Sequence, residues 1–207
     1  MPRYQAVIFD LLTALIDSWS LFNSIAGGEE SGVEWRKAYL RRMYATGAWT
    51  PYAQVVEQSA RDVGLPLAAA SDLLARWDEL QPWPEAREVL SQIHRTARLG
   101  VVTNCSHELG TRAAAFLGVP FATVVTAERA GFYKPDPRTY RLALSELGVP
   151  AERALFVAGS SGDVPGASAV GLDVYWHNRR GLPLPAGAPR PLAEEQSLHP
   201  LPGFLER

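Results

Sequence analysis

Five short runs, Gln5–Phe9, Leu99–Thr103, Ala122–Thr126, Ala154–Val157 and Leu172–Trp176, are apolar almost throughout instead of alternating with polar residues. A strand with one wet face shows a polar residue at every second position, so runs of this kind predict parallel strands covered on both faces. Helical stretches separate the later runs. Pro84–Arg95 precedes the second, and Glu108–Leu117 follows it and stops at Gly118. A third helix opens on Asp136-Pro137, a capping residue with proline in the first turn, and runs to Leu147-Gly148. Strand alternating with helix predicts an α/β fold with a doubly wound parallel sheet.

The stretch 17–83 breaks that alternation. It reads as helices only: Val33–Thr46, Pro51–Val63 behind Thr50 as a cap, and Leu67–Leu80. The expected organisation is an all-helical cap, residues 17–83, inserted into a core made of residues 1–16 and 84–207. The cap holds Trp19, Trp35, Trp49 and Trp77, with Trp83 at its exit. Most of these rings are expected to fill the bundle, and one or two to wall an apolar pocket facing the sheet. The Pro- and Gly-rich stretch Gly181 to Pro191 reads as a surface arm, and Ser197–Leu205 as a tail packed back on the core. There is no internal repeat.

Composition removes several functions. Basic and acidic residues number 20 and 22, a net charge of −2, which argues against a nucleic-acid or anionic-membrane partner. A lone cysteine, Cys105 in an apolar setting, excludes an internal disulfide and a cysteine-rich zinc site. The start, Met1 to Gln5, leads straight into a strand without a signal-peptide pattern, and no apolar segment is long enough to span a bilayer. A soluble, cytoplasmic protein is the expectation.

Four groups of chemically capable residues fall at strand ends: Asp10, Thr103-Asn104, Lys134-Pro135-Asp136, and Gly159-Ser160-Ser161-Gly162-Asp163. In a doubly wound sheet those ends converge on one crevice. Behind Asp10, the residues Leu11-Leu12-Thr13-Ala14-Leu15 supply neither a second acid nor a glycine-rich phosphate cradle. Each group alone is a common turn sequence. Their order, with a helical insertion after the first strand, is specific.

In that order, over residues 4 to 180, the chain resembles the haloacid dehalogenase superfamily. Within it the likeness is to the 2-haloacid dehalogenases more than to the magnesium-dependent phosphatases. The resemblance implies a Rossmann-like core with a helical cap, Asp10 as nucleophile, and Thr103, Asn104, Lys134 and Asp163 in the later motifs. Trp35-Arg36 followed by Leu40 is similar to the segment whose arginine receives the leaving halide. Tyr140 matches a tyrosine reaching the site, and Tyr52 an aromatic ring beside the halide. The phosphatases place a second aspartate where Leu12 stands and an acidic magnesium ligand where Ala158 stands. Magnesium requires an octahedral set of oxygens, so no metal and no cofactor are expected, with at most a weak magnesium between Asp10 and Asp163.

The implied reaction is attack by Asp10 on the halogen-bearing carbon of a small 2-halocarboxylate. Arg36 and the Asn104 amide receive the halide, and Thr103 with backbone N–H groups after Asp10 holds the substrate carboxylate. Lys134 keeps Asp10 ionised, and Asp163 activates the water that hydrolyses the ester. Leu11, Leu12 and Ser160 are expected to touch substrate. Two alternatives stand beside this: a magnesium-dependent phosphatase of the same fold, and a catalytically idle member that binds a ligand. The chain also departs from the dehalogenase pattern, with Leu12 in place of tyrosine, Gly162 in place of tryptophan, Thr13-Ala14 for Gly-Thr, and Ser160 and Ala158 for asparagine and serine. Losing two aromatic walls predicts a site open to a different or larger substrate. A small molecule is the expected partner; homodimers occur among the enzymes it resembles, but no stretch announces an interface.

Overall fold

A computed structural model describes residues 3–206. The chain begins with β1 (Ala6–Phe9), a buried turn, and a two-residue strand β2 (Ile16–Asp17). Four helices follow: α1 (Ser18–Ile25), α2 (Glu29–Thr46), α3 (Tyr52–Asp62) and α4 (Ala68–Ala75). The chain then returns through β3 (Gln81–Pro82), which pairs antiparallel with β2. Entry to and exit from the helical segment therefore lie side by side in one small ribbon. Beyond it come α5 (Ala86–Ile93), β4 (Arg98–Thr103), α6 (His107–Ala115), β5 (Thr123–Thr126), α7 (Ala127–Ala130) and α8 (Pro137–Leu147). The last elements are β6 (Ala154–Ala158), α9 (Asp163–Ser168), β7 (Asp173–His177), β8 (Ala193–Glu195) and α10 (Leu201–Leu205).

Six strands form one parallel sheet in the order β5-β4-β1-β6-β7-β8. The pleat sends successive side chains to opposite faces, and both faces are dry, as the unbroken apolar runs require. Val7, Phe9, Val101 and Val157 face α5, α6 and α10, while Ala6, Ile8, Val102 and Phe156 face α8 and α9. This is the doubly wound α/β architecture expected from the sequence. No helix among the described residues is long and apolar enough to cross a membrane.

Several elements differ from the sequence reading. α1 has no counterpart there; eight residues with three serines carry little helical signal, and the helix depends on Asp17, whose Oδ1 caps the Ser20 N–H at 3.2 Å. α2 begins at Glu29, ahead of its first apolar residue, where Glu29 and Glu30 favour a helix N-terminus. The predicted Leu67–Leu80 helix breaks at Arg76 into α4 and a short 3-10 turn, Trp77–Glu79. β8 was missed because it is a short, partly exposed edge strand of sequence Ala-Glu-Glu, with no apolar run. Cys105 is buried as expected, its thiol pushed up to about 12 by desolvation.

Helix α6 packs against the sheet closely enough that Gly110 has no room for a side chain. A Cβ there would meet Thr126 Cγ2 at 2.6 Å and Cys105 Sγ at 3.0 Å. Gly110→Ala should cost about 1–3 kcal/mol despite its better helix propensity, checked by chemical denaturation. Unchanged or raised stability would mean that α6 does not lie this close to β4 and β5.

Candidate active site

The carboxyl ends of β1, β4 and β6, with the turn before α8, bring Asp10, Asn104, Lys134 and Asp163 together beneath α2. Lys134 is the centre. Its Nζ lies 2.7 Å from Asp10 Oδ1 and 3.0 Å from Asp163 Oδ1, and all three residues are buried. Burial alone would push both carboxyls up. For Asp10 the charge and hydrogen bond of Lys134, with the Thr13 hydroxyl and Ala14 N–H, outweigh it and hold the carboxyl below its ordinary value. For Asp163 desolvation prevails and its carboxyl is raised, Asp10's charge adding to the effect. Lys134 loses by burial and gains more from two carboxylates, so its ammonium is stabilised. The pair of acids is thus driven apart, one kept as a firm anion and the other nearer to a base.

Asp10 Oδ2 takes three donors: Thr13 Oγ1 at 2.5 Å, Thr13 N at 3.0 Å and Ala14 N at 3.2 Å. Thr13 and Ala14 therefore spend these groups on the aspartate, not on substrate. The turn that presents them is held by its carbonyls. Leu11 O accepts from Leu15 N and Ile16 N, and Leu12 O from the Ser18 hydroxyl. Thr13 O accepts from Trp83 Nε1 at 2.9 Å, Ala14 O bonds His177 Nδ1 at 2.8 Å, and Leu15 O accepts from Trp83 N at 2.9 Å. Because a carbonyl only accepts, His177 Nδ1 carries its proton; burial lowers the ring's pKa, which keeps it neutral.

A small cavity lies over these groups, lined by Asp10, Leu12, Thr103, Asn104, Lys134, Ser160 and Asp163 from below. From above it is lined by Arg36, Tyr39, Leu40, Met43 and Tyr44 of α2. The α2 residues follow the i, i+3, i+4, i+7, i+8 spacing that places them on one helix face. Arg36 is 2% exposed, and its Nε and Nη1 have no hydrogen-bond partner. Its guanidinium carbon lies 4.6 Å from the Tyr39 ring centre, 5.0 Å from Phe22 and 5.6 Å from Trp19. Aromatic faces stabilise a cation modestly, but they leave the Nε and Nη1 hydrogens unmet.

Of the other sequence candidates, Ser160 donates to Asp163 Oδ2 at 2.9 Å. Asn104 is chiefly a clamp: its Oδ1 accepts from Lys134 N at 2.7 Å and its Nδ2 donates to Lys134 O at 3.1 Å, leaving one amide hydrogen for the cavity it lines. Three candidates do not line the cavity. Leu11 turns into the core. Tyr52 lies behind Tyr39, hydroxyl to hydroxyl at 3.1 Å and edge-on to Trp77, so Tyr39 holds the place expected for it. Tyr140 packs edge-on against Phe156, its hydroxyl close to Gly166, without a hydrogen-bond partner and within range of the Asp163 and Asp10 charges. Tyr44, Met43, Tyr39 and Thr13 were not singled out from sequence, although their spacing from Arg36 and Asp10 contained the signal.

The wider pocket expected from the lost tyrosine and tryptophan is also corrected. Tyr44 descends over Gly162 so closely that a Cβ at Gly162 would fall 2.4 Å from its ring. The enclosed space is about 20 Å³, room for about one water molecule.

Magnesium does not fit this donor set. Two carboxylates converge, both already bound to one ammonium, and Leu12 and Ala158 add no oxygen ligand from their side chains. Among the described residues no cluster of three or more acidic, histidine or cysteine side chains suits a metal ion.

Residues 15–171 match the family model of the haloacid dehalogenase-like hydrolases. Over 199 residues the chain is 28% identical to haloacetate dehalogenase H-2 of Moraxella sp. (strain B), covering 88% of this chain and 89% of that one. It is also similar, 31% identical over 138 residues and 63% of each chain, to a phosphatase of Mycobacterium tuberculosis. Among solved structures, the L-2-haloacid dehalogenase RSc1362 matches with a TM-score of 0.86 at 26% identity, covering 99% of both chains.

The ion cluster ties stability to pH. Asp10, held below 3.8, contributes stability that is complete above that value and lost as pH falls further; Lys134, held above 10.5, contributes below 10.5 and loses it as pH climbs through the raised value. Lys134→Met should therefore cost about 3–5 kcal/mol at neutral pH by leaving buried carboxylates unpaired. Urea titrations should show the deficit narrowing below pH ~4 as the acids protonate. A deficit independent of pH would contradict the pairing.

Proposed function

The chain belongs to the haloacid dehalogenase-like hydrolases, and from that premise we propose that it hydrolyses the carbon–halogen bond of a small 2-halocarboxylate through a covalent ester on Asp10. The observation that carries this reading is Arg36, a buried cation with two unmet nitrogens, lining the same cavity as a carboxylate held ionised. A buried guanidinium without an anion is costly. An anion formed in the cavity relieves that cost at the moment it appears, which is how a site favours a transition state over a ground state.

With Oδ2 saturated by three donors, Oδ1 is the oxygen left to attack. The Oδ1–carbon bond forms as the carbon–halogen bond breaks, and the halide leaves with the bonding electrons toward Arg36. No general acid is required for a stable anion. Asp163, raised toward the range of a base, then takes a proton from a water whose oxygen bonds to Asp10 Cγ. Cleavage of the Cγ–Oδ1 bond releases the alkoxide, which takes that proton to become the 2-hydroxycarboxylate. Asp10 returns as a carboxylate carrying the water oxygen, and one proton passes to solvent. Thr103 and Asn104 serve the substrate carboxylate and Lys134 respectively. Residues 17–83 act as a cap that must give way for entry, since about 20 Å³ admits no haloacid. The cytoplasm suits the enzyme, whose lone thiol needs no oxidising compartment.

Phosphate-ester hydrolysis is the second reading, favoured by the likeness to the mycobacterial phosphatase. It lacks a proton donor at Leu12 and a ligand set for magnesium.

Purified protein should release halide from chloroacetate or 2-chloropropionate without added metal, and Asp10→Asn should lower the rate by on the order of 10⁴-fold or more. Repeated turnover in oxygen-18 water should label Asp10. Activity surviving in Asp10→Asn, or magnesium-dependent phosphate release with no halide release, would overturn the assignment. The acid limb of kcat should lie above the ordinary carboxylate value, because ester hydrolysis needs Asp163 ionised and its carboxyl is raised. An acid limb at or below 3.8 would show that another group governs the step.

A further inference from the structure

Tyr44 crosses from the cap to the core. Its hydroxyl donates to Ser160 Oγ at 2.7 Å, and Ser160 donates to Asp163 Oδ2 at 2.9 Å. The order of donors is forced. Ser160 has one hydroxyl hydrogen and an ionised carboxylate can only accept, so that hydrogen goes to Asp163 and the serine oxygen is left to accept from tyrosine. Ser160 and Asp163 are buried. Burial and the Asp163 charge push the Tyr44 phenol up, so it stays protonated as the chain's outer donor.

We infer that Tyr44 is a positioning residue for the hydrolytic half of the reaction, fixing Asp163 through Ser160. The inference rests on the ester mechanism above and deepens it. A serine hydroxyl is free to rotate among staggered positions. By donating to the Ser160 oxygen, Tyr44 favours the position in which that hydroxyl's own hydrogen goes to Asp163. Asp163 Oδ2 accepts the Ser160 hydrogen bond, while Oδ1 is in ion-pair contact with Lys134 at 3.0 Å but accepts no hydrogen bond, so Ser160 supplies the directional hold on the carboxylate.

The same chain reaches the first chemical step only through Lys134, the ammonium that Asp10 and Asp163 share. Asp10 is oriented by Thr13, Ala14 and Lys134, none of which touches Tyr44 or Ser160 through a hydrogen bond. Apart from that ammonium the two half-reactions have different supports, and loss of the tyrosine hydroxyl falls on the second. Gly162 makes the approach possible, since any larger residue there would displace the Tyr44 ring. The seating of α2 and the full support of the water-activating acid are then linked: the Ser160 arm of that support is complete only with Tyr44 in place.

Tyr44→Phe keeps the ring over Gly162 and removes only the hydroxyl. Rapid-quench measurement with 2-chloropropionate should show the first-turnover halide burst within about twofold of the unaltered enzyme, while steady-state turnover falls about tenfold. Intact-mass spectrometry should show the Asp10 ester accumulating. Ser160→Ala should reproduce this pattern, and the double variant should be no slower than Ser160→Ala alone. Three results would overturn the inference: unchanged turnover in Tyr44→Phe, a burst slowed in step with the steady state, or a change confined to KM. Failure of the underlying reading shows separately in the unaltered enzyme, as no halide release from any haloacid; the inference then falls with it.

Discussion

An ammonium between two buried carboxylates is the interaction on which this molecule depends. Lys134, Asp10 and Asp163 are each removed from water, and ions in that state cost several kcal/mol apiece unless their partners are held in place. The surrounding fold supplies that holding. Asn104 grips the backbone of Lys134 on both its N–H and its carbonyl. The turn after Asp10 offers donors to Oδ2, and each carbonyl from Leu11 to Leu15 accepts a bond from elsewhere. A turn so constrained keeps the Asp10 carboxylate beside Lys134, whose charge and hydrogen bond hold it ionised in spite of burial.

That constraint also explains which residues outside the strand-end motifs matter. Trp83 and His177 lie far apart in sequence and neither lines the cavity, yet each holds a carbonyl of the Asp10 turn. Arg179 stacks over Trp83 with its guanidinium carbon 4.3 Å from the ring centre and also pairs with Glu85, which accepts from the Leu198 N–H. The tail and β7 are thus tied, through one tryptophan, to the support of Asp10.

The sheet, its parallel sense and the convergence of Asp10, Asn104, Lys134 and Asp163 were legible in the sequence because each leaves a local mark: an apolar run, then a polar residue at its end. What was not legible depends on tertiary contact. The half-exposed β8 and serine-rich α1 have little pattern of their own and exist because β7 and Asp17 offer partners. Arg36 was found by resemblance, but Tyr39, Met43 and Tyr44 follow from it by helical spacing alone. Tyr52 was misplaced because a tyrosine near a motif in sequence can equally turn its ring into the adjoining core, and only packing against Tyr39 decides which.

The departures at Leu12, Gly162 and Ser160 appear in sequence as losses, and taken one by one they predict a larger pocket. Taken together in space they form a substitution. A glycine at 162 leaves a gap that a tyrosine from the facing helix fills, and its hydroxyl meets the serine that stands at 160. Thr13, bulkier than the glycine expected there, turns its hydroxyl onto Asp10. Wall, tether and the support of Asp10 come here from Tyr44, Ser160 and Thr13, around a space of about 20 Å³. Such exchanges are possible because the chemistry constrains positions of oxygens and rings, not the chain segments that deliver them. With the wall on α2, the shape of the cavity is set by how that helix packs against the strand ends and not by the core alone.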